Sequence, residues 1–288
     1  MLGHTITQEE FKRLAEGEVD EIQQAALKIR HAFTGNRLYF YGFIIFQPGQ
    51  KIDTRLILKE AIGASLRTGH CFDIDLRHNP LSDALRKELM ETCREIHERT
   101  QMNLVLSHVD LTCEEFLEFQ KCGVYAYHEM LAMPRKRLEA LPESQRPSRT
   151  YDEKLALLKK AHSTGLKIST GGFFDASIPI DEIWEFFADV RKLDLHSFIL
   201  SEPEWVNEQS DWQNNYTRIH LMRNISLIRF LIPRTVIVLG NVDKYLPDPG
   251  KWILNSSANG TRNLCAEAFG ISLDDDSDKP HNMGFVIF

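Results

Sequence analysis

A unit of helix, glycine and strand recurs along this chain, and that recurrence restricts the available folds more than any other feature. Its clearest copy is 149–175, RTYDEKLALLKKAHSTGLKISTGGFFD. Leu155, Leu158, Ala161 and His162 return at helical spacing while Asp152, Glu153, Lys159 and Lys160 fill the other face, which predicts a half-buried helix ended by Gly165. Residues 166–170 then alternate apolar and polar, as a strand does with one face on helices and the other on something more polar. Gly171 and Gly172 free the backbone at its carboxyl end, where α/β proteins build their sites. The same order returns at 65–76 and 115–129, with plainer strands at 102–108, 196–201 and 235–240. A buried-type run at 38–46 and a weaker stretch at 257–263 bring the count to about eight strands, each followed by a helix. The expected fold is α/β: a (β/α)8 TIM-type barrel over 35–288, one domain, with 1–34 as an N-terminal helical extension.

Charge and cysteine usage narrow the class. A formal net charge of −7 argues against a nucleic-acid partner. The longest apolar run, 38–46, is too short to span a bilayer and no leader pattern opens the chain, so no membrane role and a cytoplasmic location are expected. Cys71, Cys93, Cys113, Cys122 and Cys265 are odd in number and share no CxxC spacing, against both a disulfide framework and a local metal site. The acidic cluster at 274–278 reads as a solvated terminal loop.

The stretch 70–80, HCFDIDLRHNP, carries the most chemistry. Phe72, Ile74 and Leu76 share the face expected to meet helices, and Cys71, Asp73, Asp75 and Arg77 share the one expected to face the barrel interior. Either Arg77 neutralises both aspartates in a charge-balanced layer, or the three groups bind or transform a ligand. The fourth strand ends in Tyr127, His128 and Glu129, an acid–base pair in the right place or a structural histidine beside a glutamate. The basic, proline-punctuated segment 133–147 is read as a lid or as solvated surface, and Trp205 and Trp212 as ligand-stacking or rim-sealing residues.

Several of these segments resemble, in order, the biotin synthase branch of the radical S-adenosylmethionine (SAM) enzymes, which includes methylornithine synthase and a hydrogenase maturase. HCFDIDLRHNP looks like that branch's second strand, RTYDEKLALLKKAHSTGLKISTGG its fifth unit, FLIPRTVIVLGN its seventh strand and GNRLYFYGFIIF the first strand of methylornithine synthase. The resemblance covers roughly residues 11–263. It implies a TIM-type barrel and a SAM site in which Glu129 matches a ribose-contacting position and Gly171 and Gly172 match the fifth-strand backbone. It also implies a CxxxCxxC loop after the first strand, holding a 4Fe-4S cluster. Here that loop is QPGQKID, without cysteine. At the second cluster's positions stand Cys71, Val105, Ser169 and Val238, and the glycine-rich SAM motif has become Arg77, His78 and Asn79. No 4Fe-4S cluster is expected, and SAM is a candidate ligand only.

Two functions accord with these residues. One is a cluster-less, radical-SAM-like barrel retained to bind a small molecule, or to accompany a partner enzyme, in cofactor or amino-acid biosynthesis, unable to cleave SAM reductively. The other is a non-radical lyase, isomerase or hydrolase using Asp73, Asp75, Arg77, His128 and Glu129 on a carboxylate-bearing substrate.

Overall fold

The computed structural model describes residues 5–66, 70–202, 218–242, 253, 255–262 and 286–287. Two helices, α1 (Gln8–Glu16) and α2 (Val19–Thr34), precede a run of strands and helices. These are β1 (Arg37–Ile45), α3 (Thr54–Leu66), β2 (Cys71–Asp75), α4 (Asp83–Thr100), β3 (Asn103–Ser107), α5 (Cys113–Lys121) and β4 (Val124–His128). There follow α6 (Arg135–Ala140), α7 (Tyr151–Ser163), β5 (Lys167–Gly172), α8 (Ile180–Val190), β6 (Leu195–Leu200), α9 (Arg218–Leu231), β7 (Val236–Leu239) and β8 (Gly260–Thr261). The strands pair in parallel and in chain order, and β8 returns to β1 through Tyr39↔Gly260 and Phe40↔Thr261, so the eight strands close into the expected barrel. A ninth short strand, β9 (Val286–Ile287), pairs with the start of β1 at Arg37 and Leu38.

Local sequence starts the helices cleanly. Thr7 with Glu10, Thr112 with Glu115 and Thr150 with Glu153 each form a reciprocal capping box, satisfying backbone donors that a helix start leaves open. The fourth helix is capped by Ser82, whose side chain accepts from Leu85 N, and begins at Asp83. At Gly123 a glycine is required, because its backbone turns at φ +95° and a Cβ would lie 2.5 Å from that of His97.

The core lies between sheet and helices, where Phe72, Ile74, Leu104, Leu106, Ile168, Phe198 and Ile237 meet the inner helix faces. β8 is too short to hold the chain that leads into it, and two buried arginines do this instead. Arg229 of α9 donates to the carbonyls of Thr235 and Ser257 at 2.7 and 2.8 Å, and Arg30 of α2 donates to the carbonyls of Ile253 and Ser256 at 3.1 and 2.7 Å. Burial lowers both guanidinium pKa values, to about 10 for Arg30 and about 9 for Arg229. The second N-terminal helix, α2, therefore takes part in closing the barrel.

Candidate functional site

Register places one continuous polar row in the lumen. Asp75 pairs with Ser107, Ser107 with His128, His128 with Ser169, and Ser169 with Ser197. Tyr41, Cys71, Val105 and Ala126 lie below it and join Ile199, Val236 and Val238 in one apolar floor. Burial in that floor pushes the Cys71 thiol up to about 12, so it is neither a ready nucleophile nor a ready metal ligand.

The two aspartates of β2 share the lumen but not a cation. Asp75 accepts from Arg77 Nε at 2.9 Å and faces His108 Nδ1 at 2.8 Å. Although burial opposes its charge, His108 and Arg77 hold its carboxyl well below the usual range. Asp73 accepts from Ser107 Oγ and from Arg262, which reaches it from the far side of the closure. The sequence reading in which Arg77 neutralises both aspartates is corrected here: Arg77 lies beyond the strand in the left-handed region, at φ +46°, and folds back on Asp75, while Asp73 pairs with Arg262. Burial and Asp75 push the Asp73 carboxyl up, against Arg262 and Ser107.

His128 and Glu129 do not form an acid–base pair. Neighbouring strand residues face opposite ways, so His128 enters the lumen and faces Ser169 Oγ at 3.0 Å, while Glu129 turns toward the rim. There its Oε2 accepts from Tyr127 at 3.1 Å and its Oε1 lies 3.6 Å from His78 Nε2, beyond hydrogen-bond reach. Glu129 is fully buried, and that Oε1 atom has no hydrogen-bond partner among the described residues. Burial raises its carboxyl pKa, with His108, Lys154 and Arg149 opposing. Three imidazoles step across the top of the barrel, His78 to His108 at 5.4 Å and His108 to His128 at 5.2 Å between ring centroids. Burial lowers His78 to about 4 and His128 well below the ordinary value; at His108, burial is outweighed by Asp75 and the pKa rises. His78 and His108 are themselves left-handed, at φ +57° and +50°, so backbone strain gathers where these groups meet.

Asn79 governs the loop after β1. Its Nδ2 donates to the carbonyls of Phe46, Gln47 and Leu76 at 3.2, 3.0 and 2.8 Å, and its Oδ1 accepts from Gly49 N at 2.7 Å. A 4Fe-4S cluster does not fit this loop, which offers no thiol and whose backbone is tied to Asn79. Among the described residues no three His, Cys, Asp or Glu side chains are set to hold a metal ion. Gly171 and Gly172 have a packing reason of their own. A Cβ on Gly171 would lie 2.3 Å from the Ile199 carbonyl oxygen, and one on Gly172 3.0 Å from the Phe174 ring. The basic segment 133–147 is no lid poised over the mouth. Arg135 pairs with Asp152 and Asp189, Lys136 with Glu185 and Arg137 with Glu182, which binds it along α7 and α8. Trp205, Trp212, Cys265 and 274–278 lie outside the described residues.

Sequence reasoning missed Arg262 and Ser107 as partners of Asp73, and Asn79 as the anchor of the first loop. The NP that follows Arg77 and His78 was a visible signal for Asn79, since asparagine at a turn bonds its neighbours' backbone. Arg262 follows a two-residue strand and had no periodicity to reveal it.

No protein-family model matches the chain. Biotin synthase from Clostridium botulinum (strain Hall) is 23% identical over 311 residues, spanning 99% of this chain and 96% of that protein. Biotin synthase from Endomicrobium trichonymphae is 22% identical over 281 residues, spanning 90% and 86%. Among solved structures, methylornithine synthase superposes with a TM-score of 0.75 at 15% identity, covering 99% of this chain and 94% of that one. The hydrogenase maturase HydG from Carboxydothermus hydrogenoformans gives 0.70 at 14%, covering 91% and 68%. The fold is that of these barrels, and the likeness to biotin synthases runs the length of the sequence.

Proposed function

We propose that this radical-SAM-type, biotin synthase-like chain is a small-molecule-binding barrel in cofactor or amino-acid biosynthesis that does not cleave SAM reductively. The observation that carries this reading is the contrast among its carboxylates. Asp73 and Asp75 each have a guanidinium partner, whereas Glu129 presents a buried oxygen without a hydrogen bond. A buried acceptor left open costs about 1–3 kcal/mol, which a ligand donor would recover. The diol of a nucleoside supplies such donors, so Glu129 suits the adenosyl half of SAM or of S-adenosylhomocysteine. The methionine half has less support: Arg77 and Asn79 are engaged with Asp75 and with the first loop. Reductive cleavage needs an iron–sulfur cluster to deliver an electron, and the thiols in this sequence are not spaced to hold one.

Calorimetry with SAM and with S-adenosylhomocysteine, on wild type and Glu129→Ala, tests the reading. Binding by wild type that weakens about tenfold or more in the variant is expected for a lost charge-assisted hydrogen bond. Absence of binding, or equal binding by both proteins, contradicts it.

A further inference from the structure

Phe43 is the exposed large hydrophobic of β1. It stands beside Asp73 in register and so faces the lumen, yet it is 40% exposed, whereas Tyr41 one layer below is 5% exposed. The Arg262 guanidinium lies over its ring at 5.3 Å from the centroid. Arg262 gives Nη2 to Asp73, and no hydrogen bond engages its Nε or Nη1 among the described residues. Nearby, Ser197 Oγ donates to Ser169 Oγ at 2.8 Å. His128 Nδ1 faces Ser169 Oγ at 3.0 Å, and among the described residues no hydrogen bond engages its Nε2. The lumen therefore offers spare donors beside an open aromatic face. Its two carboxylates are already charge-paired: Asp73 with Arg262, and Asp75 with Arg77 and His108.

We propose that Phe43, Arg262 and His128 form a lumen site for a small carboxylate with an apolar, ring-sized body. The carboxylate takes the open guanidinium edge and the His128 Nε2–H, and the body lies on Phe43. A cationic ligand is disfavoured, because it would meet Arg262 beside carboxylates that already have cationic partners. The site names a ligand class for the small-molecule-binding reading above, and needs no nucleoside at Glu129.

Calorimetry of the full chain with phenylacetate, acetate and phenethylamine, no nucleoside present, tests it. Phenylacetate is expected to bind at least about tenfold more tightly than acetate, from burial of its ring, with no measurable binding of phenethylamine. Combining Arg262→Gln with Asp73→Asn removes both charges together and should weaken phenylacetate about tenfold or more. Phe43→Ala alters an exposed position and should weaken it about fivefold, which decides the matter if the double variant does not fold. Phenethylamine binding as well as phenylacetate, no binding of phenylacetate, or unchanged affinity in Phe43→Ala would each overturn the proposal. Because no nucleoside is present, a negative result with SAM leaves this experiment's outcome intact.

Discussion

The lumen and the rim of this barrel treat buried acids in opposite ways. In the lumen Asp73 and Asp75 are each met by a guanidinium, and Asp75 also by an imidazole. At the rim Glu129 is just as deeply buried, but its carboxylate has one tyrosine hydroxyl, a histidine at 3.6 Å and an oxygen with no hydrogen bond among the described residues. A compensated carboxylate holds its surroundings in place, and an uncompensated one keeps interaction free energy in reserve for a ligand.

The sharpest way to break this contrast is to remove a compensated acid. Asp75→Ala leaves Arg77 and His108 facing each other without their shared anion and should destabilise the fold by about 3–5 kcal/mol, read from urea unfolding. A loss below about 1 kcal/mol would mean that the pair contributes little. Asn79→Ala should cost less, about 1–3 kcal/mol, since it leaves Gly49 N and the Phe46 carbonyl to find water, while the Gln47 and Leu76 carbonyls keep backbone donors. Hydrogen exchange in the 46–50 loop should rise along with that loss.

Glu129 should show the reverse sign. Glu129→Gln keeps the shape and removes a charge that burial penalises, so the variant is expected to be more stable than wild type by about 1 kcal/mol at neutral pH. The gain has a definite pH dependence. A carboxyl whose folded pKa is raised costs nothing below its unfolded pKa, and its penalty grows as pH rises from there through the folded pKa. The stability difference between Glu129→Gln and wild type should therefore widen from pH 4 toward neutrality. Asp75, with its pKa depressed, behaves oppositely: its contribution is complete above the unfolded value near 3.9 and is lost as pH falls toward the folded one. Stability curves of the two variants against pH separate these signs, and parallel curves would show that lumen and rim do not differ as described.

Much of this was legible before the structure, and the pattern of what was not has a physical cause. Alternation along 71–75 and 167–170 identified strands and their inner faces, because period two is a local property. Cys71, Asp73 and Asp75 accordingly face inward. The partners of those residues were hidden, because a partner is set by closure of the barrel. Arg262 meets Asp73 across 189 positions of sequence. His128 and Glu129 looked like a pair by adjacency, although the same alternation rule sends them to opposite sides. Gly171 and Gly172 looked like open backbone, and only the approach of β6 and of Phe174 shows that they are crowded. The basic segment 133–147 read as a lid or as solvated surface, and only the packing of α7 and α8 shows that Arg135 and Arg137 have acids to pair with.

The central claim, that this barrel holds small molecules without radical chemistry, is tested most directly by anaerobic reconstitution with iron and sulfide. Iron and sulfide are then quantified per chain after desalting, alongside an assay for 5′-deoxyadenosine from SAM under a strong reductant. The account predicts a colourless protein with substoichiometric iron and no 5′-deoxyadenosine. A stoichiometric cluster absorbance, or reductant-dependent cleavage of SAM, would contradict it.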